Sequence, residues 1–219
     1  MNFFRFLTPV LPALLALAGA AVPAHASGDP AMDAAVLRIN NGWAHIRYEI
    51  HDKNAQFNQL VALEAAAAKV VAQYPGKAEP LLWEGIVVSE EAARASTFRQ
   101  LGLASRARDI LAKAYAINPN VADGGAAMSL GVLYYKVPGW PIGFGSTSKA
   151  RGYFQQALRL DGKGLDNNFF YGDFLASEGD KANARLYLRK ALAAPANPAR
   201  PVWDAGRRAE VRALLAKLG

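Results

Sequence analysis

The sequence predicts an all-α fold, a right-handed solenoid of antiparallel helix pairs, and three observations carry that expectation. Ala, Leu and Arg dominate, alternating β-branched runs are scarce, and Gly or Pro interrupts the chain every 15 to 25 residues. Three segments then repeat one spacing, a small residue, a bulky one four later and Ala three after that: Ala107–Leu111–Ala114, Ala150–Phe154–Ala157 and Ala184–Leu188–Ala191. Each ends at a helix stop five residues on, at Pro119, at Gly162 and at Ala196 between Pro195 and Pro198, and each follows a stretch carrying Gly85, Gly131 or Gly172. Residues four and then three apart share one stripe of a helix, the face that must be buried. Two antiparallel helices need small residues where their backbones nearly touch, and large ones where knobs fill the groove to the next pair.

The elements follow in order. Arg5 is the one charged residue before an uncharged stretch from Leu7 to Val22, which ends in Ala24-His25-Ala26. This is the layout of a secretory signal peptide cleaved after Ala26, with a periplasmic or secreted address; Pro9 and Pro12 disfavour the alternative of a retained spanning helix. Its removal leaves 193 residues and a net charge of +6, enough chain for one domain, 27–219, with its own core. Helices are expected near 31–51, 55–74, 79–99, 105–117, 123–136, 147–160, 166–178, 181–193 and 202–218. Pro75-Gly76 and Asn118-Pro119-Asn120 cannot continue a helix, and Gly179-Asp180 makes a tight turn with Asp180 placed to cap. There is no cysteine, so neither a disulfide nor a thiolate metal site holds the fold, and a lipid anchor on cysteine is excluded.

The spacing resembles the tetratricopeptide repeat, whose signature places Leu-Gly-x2-Tyr on the first helix, then Ala-x3-Phe and Pro on the second. Leu130-Gly131-Val132-Leu133-Tyr134 matches the first part, with Ala127 where Trp would stand; Tyr171-Gly172 with Leu175 and Glu84-Gly85 with Val88 match more loosely. Gly172 to Ala184 is 12 residues and Ala150 to Ala184 is 34, the spacings the resemblance implies. The repeats fall at about 79–120, 123–162 and 166–198, preceded by a degenerate unit at 55–76 (Leu63, Ala67, Val70, Pro75) and closed by a capping helix at 202–218.

Two departures stand out. Gly85 to Ala107 spans 22 residues and Gly131 to Ala150 spans 19. The first surplus is expected to lengthen the hairpin through Thr97–Ser105. The second is a Pro-, Gly- and aromatic-rich loop, 137–146, leading into Lys149-Ala150. An Ala-rich start, this insertion and the following KARGYFQQAL are similar to the T-component family associated with TRAP transporters, a resemblance that implies a periplasmic accessory protein binding a small ligand.

Chemistry is thin. Residues 139–145 are Gly-rich but lack Gly-x4-Gly-Lys-Ser/Thr, so they are read as a loop whose Trp140, Ile142 and Phe144 pack on the solenoid or wall a ligand pocket. His45 and His51 lie six apart, off the geometry of a helical metal pair, and Lys163 breaks any calcium loop across Asp161–Asp166. Glu90 and Glu91 are adjacent and point apart, read as a solvated edge. No catalytic residue, metal site or cofactor is assigned, and the chain is expected not to be an enzyme.

What remains is the concave face. The resemblance implies that the first helix of each pair lines an inner groove, with residues three before and one and four after its Gly facing inward. That nominates Leu82, Ile86, Met128, Val132, Tyr135, Phe169 and Asp173, with Ser89 and Ala176; Trp140 joins them as a wall of any loop-closed pocket. The set is apolar and aromatic with one acid, suited to a protein or peptide segment, or to a small organic ligand. From Arg185 onward eight basic residues face two acids. In an exported chain this argues against nucleic acid and leaves membrane contact to the basic C-terminal helices, the surface an envelope assembly factor would use. The expected function is a non-enzymatic scaffold holding a protein partner in its groove; the alternative is a small-ligand accessory of a TRAP-type transporter.

Overall fold

A computed structural model describes residues 28–219; the signal peptide and cleavage site expected over residues 1–26 lie outside the described residues. Nine α-helices are described: α1 Pro30–Tyr48, α2 Lys53–Gln73, α3 Ala78–Arg94, α4 Thr97–Ile117, α5 Gly125–Lys136, α6 Thr147–Leu160, α7 Leu165–Ser177, α8 Lys181–Leu192 and α9 Pro201–Leu218. Asp29, Asp52, Ser146 and Asp180 cap α1, α2, α6 and α8 with side-chain oxygens, relieving backbone N–H groups that have no partner inside the helix.

The helices pair as α1/α2, α3/α4, α5/α6 and α7/α8, and each pair packs on the next. One contact repeats. A Cβ added at Gly85, Gly131 or Gly172 would stand 2.6, 2.9 or 2.9 Å from Leu111, Phe154 or Leu188. In each pair, therefore, the bulky residue of the repeated spacing sits against the glycine of its partner helix, and its small neighbours Ala107, Ala114, Ala150, Ala157, Ala184 and Ala191 are wholly buried. The first pair has the same device with sizes exchanged: Gly42 receives Leu63, and Ala67 is buried where the other pairs carry a large side chain.

Two boundaries differ from expectation. The surplus before Ala107 does lengthen the hairpin, but as helix: α3 stops at Arg94 and α4 starts at Thr97, eight residues earlier than expected. Ala95 and Ser96 are extended and make the turn alone. Helix α5 starts late because Ala122, Asp123 and Gly124 are all left-handed (φ 46°, 51° and 88°), a conformation that costs non-glycine residues about 1–3 kcal/mol each. Asn167 of α7 holds this turn: its buried amide donates to the carbonyls of Asp123, Ala157 and Asp161, all at 3.2 Å.

The first helices of the pairs form the inner layer, and α9 extends it where the first helix of a fifth pair would lie, against α7 and α8. This layer closes, because α9 also packs on α1. One core cluster spans the closure, with Trp43, Trp83, Val87, Phe169, Trp203 and Val211 among its buried members. Gly206 lets α9 lie directly on the Tyr48 ring, which a Cβ there would overlap.

Candidate functional site

The inner face is occupied by charge. Arg47 of α1 donates to Glu90 of α3 (2.8 and 2.9 Å) and to Glu210 of α9 (2.6 Å). Arg207 of α9 donates to Glu210 (2.6 Å) and to Asp166 of α7 (2.7 Å), which also accepts from the Trp203 indole (3.1 Å). Arg207 is 1% exposed, with its guanidinium over the Phe169 and Phe170 rings at 4.7 and 4.4 Å. Burial works against each charge, and the partners overcome it. Glu90 and Glu210 hold the Arg47 guanidinium above its ordinary value, and Arg47 and Arg94 hold the Glu90 carboxyl below its own. Burial also pushes the Tyr48 hydroxyl, which donates to Glu210, up to about 12.

This network changes the reading of several residues. Glu90 and Glu91 do point apart, but neither is a solvated edge. Glu90 belongs to the ion network, and Glu91, 5% exposed, faces Glu64 of α2 and Arg106 of α4. Burial first, then the hydrogen-bonded Glu64 carboxylate, push the Glu91 carboxyl up to about 7. Four of the eight late cations are likewise engaged within the fold. Arg207 is in the network, Arg208 binds Asp204 and three backbone carbonyls, Arg200 binds Asn40, and Arg185 binds the Leu218 carbonyl. Sequence reasoning missed Arg47, Asp166, Arg207 and Asn167. Asp166 lies six before Gly172 and Glu90 five after Gly85, spacings that reach the inner face, but nothing local signalled their cationic partners.

The nominated residues separate into three groups. Leu82, Met128 and Phe169 are buried in the core (1, 8 and 8% exposed) and Ile86 is half-buried against two core clusters, so these four support the layer rather than line an open groove. Val132, Tyr135 and Asp173 come together as a half-exposed strip on α5 and α7. There Lys136 donates to Asp173 (2.7 Å) and to the Tyr135 hydroxyl (3.1 Å), and Tyr135 stands edge-on to Phe174. Trp140 stands apart, 89% exposed at the tip of the 137–146 loop. Of the three apolar loop residues only Phe144 packs, edge-on to Tyr134 and beneath Arg108. Trp140 lines neither of two surface depressions, of about 670 and 270 Å³, and the larger carries a mixed rim of Glu84, Arg106, Asp109 and Lys113. Among the described residues no group of three or more His, Cys, Asp or Glu side chains is placed to hold a metal ion, and no helix is long and apolar enough to cross a membrane.

Residues 165–198, the α7/α8 pair and the chain that follows it, match the tetratricopeptide-repeat family. The fold is a tetratricopeptide-repeat solenoid. A thermophilic tetratricopeptide-repeat protein of Thermus thermophilus superposes with a TM-score of 0.55 at 18% identity, covering 85% of this chain and 90% of that one, a likeness of fold alone. PilF of Pseudomonas aeruginosa is 17% identical over 86% of this chain and 93% of its own, but at a TM-score of 0.35 the superposition carries no argument. No curated protein matches. Tetratricopeptide-repeat solenoids generally serve as scaffolds for protein interaction rather than as enzymes. In this one, contacts within the chain close the inner layer at α1 and α9, and the strip on α5 and α7 stays accessible.

Proposed function

We propose that this chain is an exported, non-enzymatic scaffold that holds a protein or peptide partner, with the partner segment lying along Val132, Tyr135, Lys136 and Asp173. The observation that carries this reading is the strip itself. It is the stretch of inner face left half-open when α1 and α9 cover α3 and α7, and it offers an aromatic ring, an aliphatic side chain and one fixed ion pair. Such a surface suits a short extended or helical segment: the ring and the Val132 side chain supply apolar contact, and Lys136 and Asp173 can each exchange their mutual bond for one to the partner. Export rests on residues 1–26, whose charged start, apolar stretch and Ala-His-Ala ending fit a cleaved leader. The alternative, a small-ligand accessory, would have the 137–146 loop wall a cavity, and the exposure of Trp140 favours the scaffold.

The test is affinity capture from a periplasmic extract with the wild-type chain and with a Tyr135→Ala, Lys136→Glu variant. The scaffold reading expects a stoichiometric protein recovered by wild type and lost with the variant. Recovery undiminished by the variant would remove the strip from the interface, and no partner in either arm would remove the scaffold reading.

A further inference from the structure

The two insertions that lengthen the repeats meet at one edge of the solenoid. Because the pairs are antiparallel and stack in the same sense, the turn from first to second helix lies on the same edge in each pair. The early start of α4 puts Phe98 and Leu101 there, and the 137–146 loop puts Trp140 and Ile142 beside them. The two are in contact: a Cβ on Gly143 would stand 3.2 Å from the Leu101 side chain, and the Arg108 guanidinium of α4 covers the Phe144 ring at 4.6 Å. The loop holds its shape through backbone bonds, from Ile142 and Gly143 to the Gly139 carbonyl and from Gly145 to the Pro138 carbonyl, which leave Trp140 at the tip. Phe98 is 99% exposed, Trp140 89%, Ile142 70% and Leu101 38%. Large apolar side chains grouped this way on a surface mark an interaction site.

The charge around them is predominantly positive. Neither residues 97–108 nor residues 137–151 contain an acid, while they carry Arg99, Arg106, Arg108, Lys149 and Arg151; Arg106 pairs with Glu64 of α2 and Arg151 with Glu178. Over 97–160 as a whole there are eight Lys and Arg against Asp109 and Asp123, a net +6. Arg108 holds Asp109 at 2.7 Å. A protruding tip of Trp, Phe and Ile, not a groove, flanked by cations, fits the interface of an anionic bilayer: the rings reach the level of the headgroups and the cations meet lipid phosphates. We propose that this edge docks on an anionic lipid surface, with Trp140, Ile142 and Phe98 entering the interface and Arg99, Arg108 and Lys149 contacting headgroups. The docking face is thus the edge built by the insertions, separate from the strip on α5 and α7 and from the C-terminal helices.

The experiment mixes the full chain with vesicles of phosphatidylcholine alone or with phosphatidylglycerol added, some carrying brominated acyl chains. The other three tryptophans, Trp43, Trp83 and Trp203, are 4–7% exposed, so a change in emission reports Trp140. The proposal expects a blue shift and bromine quenching on anionic vesicles, both reduced at high salt. Partition should fall at least tenfold in Arg99→Glu, Lys149→Glu, and the quenching should vanish in Trp140→Ser, Ile142→Ser, whose substituted side chains touch too little to affect folding. The N-terminal apolar stretch is common to all variants and contains no tryptophan, so it cannot supply the signal. Absence of quenching on anionic vesicles overturns the proposal. So does self-association, or a complex with a soluble protein, that Trp140→Ser abolishes while no vesicle signal is seen; either would give the patch to that occupant.

Discussion

The closure of the inner layer and the insertion edge invert each other. At the closure, where α9 meets α1 and α7, Arg47, Glu90, Asp166 and Glu210 gather with the buried Arg207, and the Phe169 and Phe170 rings pack against its guanidinium. At the edge, Phe98, Trp140 and Ile142 stand in solvent and the charges beside them are mostly cations, with Arg108 held by Asp109 at the surface. A buried charge is tolerable only with its partners in place, so the closure is a point where loss of one group is felt by several. An exposed aromatic adds almost nothing to folding, so the edge can change without cost to the scaffold. Stability is in this way concentrated at the closure, and the edge is left free to vary.

Substitutions can break or sharpen that contrast. The largest effect belongs to Arg207→Ala. It takes the guanidinium from Asp166, leaves Glu210 to Arg47 and Tyr48, and empties a site that is 1% exposed, which together should cost about 3–5 kcal/mol in denaturant unfolding. A loss below about 1 kcal/mol would mean that the closure contributes little. Next comes Ala184→Trp, which overfills the tight contact between α8 and α7 beside Leu188; a loss of about 1–3 kcal/mol is expected, and a neutral result would put the repeat register in error.

Glu91 gives a smaller, pH-dependent effect. Its carboxyl titrates near 7 in the folded chain against an ordinary value of 4.5, so between these pH values the folded state binds the extra proton. Stability from this group is therefore present below about pH 4.5 and is lost as pH rises through 7. Glu91→Gln should remove that slope and raise the melting temperature at pH 8 by about 2–4 °C, the equivalent of roughly 1 kcal/mol in a chain of this size. Equal pH slopes in the two proteins would show that the pair with Glu64 is not buried as described. The smallest effect on folding belongs to Trp140→Ser, expected within about 0.5 kcal/mol of wild type. A larger loss would show that the edge contributes to the fold after all and would erase the contrast.

How far the sequence led follows from the range of each interaction. The residues of the three glycine-to-bulky contacts were legible, since the repeated spacing names them, but the bulky side chain was expected in the groove to the next pair and instead packs on the glycine of its own. Asp180 as a cap was legible, its partner Asn183 being three residues away. The length of α4 was half legible: the surplus was visible, but its helical form depended on a two-residue turn at Ala95 and Ser96 that carries neither Gly nor Pro. Of the nominated inner-face residues, the pattern identified the side of the helix, and it could not say which of them would be covered.

By itself the sequence determined the helix pairs, their repeat spacing and the two places where that spacing is enlarged, because helix periodicity and close packing between neighbours act over tens of residues at most. Only the tertiary structure decided that the solenoid closes. Arg47 and Glu210 are 163 residues apart, and they meet because small rotations between successive pairs add up until α9 returns to α1. No local spacing records that sum. It settled which cations face inward, which part of the inner face stays open, and that the two insertions, far apart in the chain, share one edge.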